Sequence, residues 1–240
     1  MGCALCGRKR DLCKSHILSE FLYEPLYDKV LHRYNVVSTD PKVRSFTRPT
    51  GSYERLLCEE CEGLIGSWES YAKPLLYGGI GFGWARGPHG PIIHDIDYSR
   101  FKLFQMSMLW KCHVTTLQDF RCVDLGPKHG ERLRSMLLAS NPGKPKDYGC
   151  VLFAAPKMTN CTDKLILLPE RLKIDGQTSY ILMAGQIFWI YFVFSPAVLP
   201  PQKDYFLDAS GTLPILINDE WTSKYLAKYA KQLKATGKLD

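Results

Sequence analysis

The spacing of apolar residues changes several times along this chain, and each change marks a different kind of element. From Tyr98 to Val114, "YSRFKLFQMSMLWKCHV" is apolar around most of a helical circumference, with Phe101, Phe104, Met108 and Cys112 on one stripe. That pattern predicts a buried helix. The stretch "PKHGERLRSMLLAS" predicts a shorter amphipathic helix with Leu133, Met136 and Leu137 facing inward. After Pro145 the pattern turns to β-branched and aromatic runs, "GCVLFA", "KLILLP", "SYILMAG" and "QIFWIYFVF", which read as strands. Ala184-Gly185 lies where the last two would form a hairpin, so an antiparallel sheet is expected. The closing segment, "NDEWTSKYLAKYAKQL", opens on cap-capable Asn218 and Asp219 and repeats Trp221, Tyr225 and Tyr229 every four residues. It predicts a helix that docks its aromatics on the sheet and leaves its lysines outside.

Upstream of these elements, Gly78 to Pro91 packs six glycines and two prolines into fourteen positions. This reads as a linker, and the Gly79-x-Gly81-x-Gly83 inside it lacks the strand-to-helix context of a phosphate cradle. The expected organisation is therefore a small unit over 1–77, a linker over 78–91 and an α+β domain over 92–240.

At 240 residues and 45% hydrophobic content the chain can bury a substantial core. No apolar run reaches the eighteen residues of a membrane span; the longest candidate, Ile181 to Phe194, contains Gly185 and Gln186. The N-terminus lacks the order of a secretory signal, so a cytoplasmic protein with no membrane partner is expected. The formal charge of +7 is compatible with a polyanionic partner. Positive residues gather from Lys29 to Arg55, where Lys42, Arg44, Arg48 and Arg55 are candidate nucleic-acid contacts, and again in the last turns from Lys224 to Lys238. A solvated face is the alternative reading of each run.

Nine cysteines in a chain without an export signal do not suggest a disulfide framework. Cys3-x-x-Cys6 and Cys58-x-x-Cys61 supply the four thiolates of a closed tetrahedral zinc site, each pair able to reach one ion at about 2.3 Å. Fifty-one residues separate Cys6 from Cys58, so a structural zinc there would clamp a long loop. Cys13 is a possible substitute for one of the four. Cys112, Cys122, Cys150 and Cys161 read as packing residues. His89, His94, His113 and His129 are isolated and have no ligand spacing among them.

The order of a CxxC knuckle, then "Lys14-Ser15-His16-Ile17", then "Leu56-Leu57-Cys58-Glu59-Glu60-Cys61-Glu62" ahead of a helical run resembles the HNH endonucleases, the ββα-metal class of treble-clef zinc proteins. The resemblance covers about the first 75 residues of the sequence. It implies a zinc-binding treble clef followed by an α+β domain with an antiparallel sheet, and a metal-dependent nucleic-acid endonuclease activity. His16 would be the general base that takes a proton from the attacking water. A second ion would stabilise charge on the leaving oxygen. Many such compact nucleases need a partner protein for targeting, and an effector of bacterial defence is a setting consistent with that.

The sequence departs from the family pattern at three positions. The residue before the base is Ser15, the middle Asn falls near Ser52 or Tyr53, and the residue after the last cysteine is Glu62. Glu62 and Glu69 would share one helical face and offer hard oxygen ligands to Mg2+ or Mn2+. The plainer readings are that Glu62 complements a helix dipole, Glu69 is solvated, and Ser15 caps a helix near Leu18 with His16 packed behind the knuckle. Two rival functions follow: a non-catalytic zinc-stabilised module that binds nucleic acid or protein, and a knuckle that merely staples a ligand-binding second domain. Convergence of His16, Glu62 and Glu69 around an open site would separate the nuclease from the first rival, and a large apolar pocket or exposed aromatic patch within 150–217 would favour the second.

Overall fold

The structure, a computed structural model, describes residues 2–27, 30–37, 46–79, 81–154, 165–193, 201–235 and 237. At its N-terminal end, β1 (Leu12–His16) pairs antiparallel with β4 (Tyr53–Cys58), and α1 (Glu59–Tyr77) starts directly after β4. This is a two-stranded ribbon followed by a helix. Instead of a helix near Leu18, two short 3-10 turns follow β1, at Glu20–Leu22 and Glu24–Leu26.

The remaining strands join one nine-stranded sheet. In chain order they are β2 (Tyr34–Val37), β3 (Phe46–Arg48), β5 (Trp84–Gly87), β6 (Gly90–Ile93), β7 (Cys150–Ala154), β8 (Leu165–Ile174), β9 (Gln177–Ala184), β10 (Ile187–Val193) and β11 (Leu213–Leu216). Their spatial order is β3-β2-β8-β9-β10-β7-β11-β6-β5. The four strands read from the sequence form its antiparallel centre, but the whole is mixed, because β2 runs parallel to β8 and β11 parallel to β7. Both parallel pairs join strands from distant parts of the chain, a pairing that the local apolar pattern does not encode.

The hairpin at Ala184-Gly185 is present: Ala184 faces Ile187, and Gly185 and Gln186 both take positive φ, 62° and 63°. A two-residue turn of that kind matches the strand twist. The glycine-rich stretch read as a linker contains the β5–β6 hairpin, which joins the sheet through β11. Gly90 sits there at φ 142°, where a Cβ would lie 2.1 Å from the Ile215 carbonyl oxygen. Only glycine tolerates that approach.

Both faces of the central strands are covered. Leu182 and Trp189 point into a core cluster that runs from Cys3 to Leu213, while Ile181, Met183, Phe188 and Ile190 point into a second one on the opposite face. That is why β9 and β10 are continuously apolar instead of alternating. The first cluster includes α2 (Tyr98–Val114), buried from Phe101 to Cys112 and capped by Asp97, and α3 (Gly126–Leu138), buried through Leu133 and Leu137. On the other face lies α4 (Asp219–Ala235), capped by Asn218. Trp221 stacks on Phe153 at 4.6 Å between ring centroids, and the Tyr225 hydroxyl donates to Glu170 Oε2 on β8 at 2.9 Å.

Candidate metal centre and its polar surroundings

The first knuckle is a tight turn. Gly7 N donates to Cys3 O at 2.8 Å, Cys3 N donates to Arg8 O at 2.9 Å, and Gly7 adopts φ 74°. Ala4 N donates to Leu56 O at 3.0 Å, which docks the knuckle against β4 just ahead of the second cysteine pair. Cys3, Cys6, Cys58 and Cys61 thereby bring their sulfurs within 4.8 Å of one another. Cys6 Sγ and Cys58 Sγ are 3.8 Å apart. A tetrahedral ion with metal–sulfur bonds of about 2.3 Å needs edges of about 3.8 Å, so the four residues are close enough to hold a metal such as zinc. Cys13 is not in the group.

The surroundings act differently on the four thiols, and only at Cys3 is a shift toward the thiolate seen. Burial pushes the Cys3 thiol up, but hydrogen bonds from the backbone amides of Cys6, Cys58 and Leu5 outweigh it and bring its pKa to about 7. Burial raises Cys58 and Cys61, the latter strongly. Arg134 of α3 donates Nη1 to Leu5 O at 2.5 Å, so a cation from a distant part of the chain closes over the knuckle. Sequence reasoning missed Arg134, and only the packing of α3 could have revealed it.

The residues expected to do chemistry are placed as follows. Ser15 is fully buried, and its Oγ donates to Glu62 Oε2 at 2.6 Å while accepting from Leu57 N at 3.2 Å. Further along both segments, Ser19 Oγ donates to Glu69 Oε1 at 2.7 Å, and buried Lys111 of α2 meets the same oxygen at 2.7 Å. Glu69 is thus not a solvated side chain; it is held in an ion pair between α1 and α2. His16 ends β1 opposite Tyr53, with Glu20 Oε2 3.9 Å from its Nδ1. Among the described residues, the four cysteines form the one potential metal-ligating group, so His16, Glu62 and Glu69 do not gather around a shared ion site.

Of the expected nucleic-acid contacts, Lys42 and Arg44 lie outside the described residues, as does Cys161. Arg48 is tied to Asp119 at 2.8 Å and to Ser52 Oγ, which makes it a strut between β3 and the chain after α2. Arg55 is exposed on β4 and donates to Leu12 O at 2.8 Å. Within 150–217 the described aromatic side chains of the sheet are buried or half-buried, and a cavity of about 150 Å³ beside His89, Tyr205 and Pro214 lies at the sheet's β6–β11 end. No described helix is long and apolar enough to cross a membrane. No family model matches the chain, and comparison with curated proteins and with solved structures finds no similar one.

Proposed function

We infer that the chain is a metal-dependent nucleic-acid phosphodiesterase on an HNH-like scaffold, a treble clef clamped by zinc on Cys3, Cys6, Cys58 and Cys61. The observation that carries this reading is the 2.6 Å contact between Ser15 and Glu62. It joins the two positions that the HNH pattern gives to metal ligands, one of them directly before His16. Glu62 retains one carboxylate oxygen, Oε1, with no partner among the described residues. A single carboxylate suits Mg2+ or Mn2+, which keep several waters and complete their shells with substrate phosphate. Such an ion, when bound, supplies charge stabilisation at the leaving oxygen.

His16 takes the proton of the attacking water. Its ring is partly exposed at the end of β1, and a neutral imidazole nitrogen within one hydrogen bond of the water can accept that proton. Ser15 orients Glu62. Glu69 has no part in the chemistry, since Lys111 and Ser19 already occupy its Oε1.

A second reading, a non-catalytic zinc-stabilised module, draws on the same contact, since Ser15 satisfies one of the two oxygens that an ion would use, and on the failure of His16, Glu62 and Glu69 to gather around one ion site among the described residues. The test is cleavage of plasmid DNA and of a long RNA with Mg2+ or Mn2+, wild type against His16→Ala at matched zinc content. Loss of cleavage by about 100-fold or more in the variant is the expected result. Binding without cleavage by the wild type selects the module.

A further inference from the structure

The solvent face of the β1–β4 ribbon carries chemistry that the interior does not use. Lys14 faces Arg55 across the two strands, and His16 faces Tyr53, so four side chains form one block. Ser15 and Leu57, on the interior side, are fully buried. Lys14 Nζ lies 5.1 Å from the Tyr53 ring centroid, and the His16 ring meets Tyr53 edge-on at 6.1 Å. Tyr53 is nevertheless 41% exposed.

Two like charges directly opposite each other on an antiparallel pair are destabilising. Neither Lys14 nor Arg55 makes an ion pair among the described residues that would offset this, and Arg55 reaches only the Leu12 carbonyl. Arg8 and Arg10, at the knuckle, both pair with Glu60. Glu54, between Tyr53 and Arg55, turns away and is held by Thr115 and Thr116 at the end of α2. Glu20 stands at the His16 end of the block. An exposed ring flanked by cations that have no carboxylate partner among the described residues matches the two requirements of an unpaired nucleic-acid strand, a stacking surface for a base and positive charge for its phosphates.

We propose that this face binds single-stranded nucleic acid, with a base stacked on Tyr53 and neighbouring phosphates on Lys14 and Arg55, which lays the strand across His16. A duplex keeps its base faces stacked internally and offers this block only its phosphates. The inference rests on the phosphodiesterase reading for its substrate class, and it adds the site and the form of that substrate.

The experiment measures binding of fluorescein-labelled oligothymidylate, oligouridylate and a duplex by zinc-loaded protein without added Mg2+ or Mn2+, so that cleavage does not intervene. Tyr53→Ala is expected to weaken single-strand binding about tenfold, while Tyr53→Phe retains it. Lys14→Ala and Arg55→Ala are each expected to flatten the dependence of log affinity on log salt by about 0.7. The thymidylate and uridylate arms, with oligodeoxyuridylate as the control for thymine's methyl group, tell which sugar is preferred. Unchanged affinity in Tyr53→Ala, or unchanged salt slopes in both cation variants, overturns the proposal. Strand binding that needs Tyr53 but leads to no cleavage with Mg2+ or Mn2+ retains this site and removes the hydrolase; cleavage indifferent to all three residues does the reverse.

Discussion

Around β1, β4 and α1 the chain is fastened by sulfur and by polar pairs: four cysteines, Ser15 with Glu62, and Ser19 with Glu69 and Lys111. In β9 and β10 the fastening is apolar on both faces, through Leu182 and Trp189 on one side and Ile181, Met183 and Phe188 on the other. The contrast follows from how much apolar surface each region can cover. The ribbon and α1 do bury Leu57, Ile65 and Trp68 in the shared core, but two strands under one helix are few, so hydrogen bonds and any metal held by the four cysteines add to what fixes their geometry. A sheet between two layers has enough for burial alone to hold it. The polar fastening also fixes which side chains of the ribbon face water, and these are the ones available for chemistry.

The strongest challenge to this contrast is removal of any metal that the four cysteines hold. Structural zinc in small knuckles is worth about 10–16 kcal/mol of apparent binding energy, so Cys58→Ser or chelation should release the ribbon and α1. Hydrogen exchange is expected to speed up across β1, β4 and α1 far more than across β9 and β10. Equal acceleration in both would mean that the shared core cluster makes them one cooperative unit. The next test attacks the apolar side. Trp189 is fully buried, and Trp189→Ala in metal-loaded protein should cost about 3–5 kcal/mol in urea unfolding. Its metal content should stay unchanged.

A smaller change concerns a charge placed inside the apolar part. Lys102 on α2 is buried against the carbonyls of Pro145 and Tyr148, and burial pushes its pKa from 10.5 down to about 8. Below about pH 8 both folded and unfolded chains carry the proton and the burial cost is fully present. Between the two values the folded chain has already released it, so the unfolded chain binds more protons and stability rises with pH. Lys102→Met should lack that rise. Unfolding curves for wild type and variant at about pH 7 and about pH 9.5 give the difference, in which the titration of other groups cancels.

Much of the apolar architecture was legible in the residues. The helix over 98–114, the strand runs after Pro145 and the aromatic spacing of Trp221, Tyr225 and Tyr229 all appear at their expected places, because each rests on a local period that burial enforces. The glycine-rich stretch was misleading. Gly90 permits a close backbone approach inside a hairpin, whereas glycine density alone suggests a loose connection. At the candidate site, the CxxC spacing pointed to the four metal-ligating cysteines, but it held no sign that Lys111, fifty residues beyond the second pair, would meet Glu69.

Ligand spacing and apolar periodicity act over a few residues, so the order of amino acids specifies the two cysteine pairs, the helices and the central strands without reference to the rest of the chain. Other features exist only in the folded molecule: β2 and β11 enter the sheet in parallel, the two cysteine pairs meet, Ser15 and Ser19 occupy Glu62 and Glu69 of α1, and Tyr53 stands exposed between Lys14 and His16. Each of these depends on the docking of segments far apart in the chain, and that docking is set by the combined burial of many side chains, not by any residue's own preference.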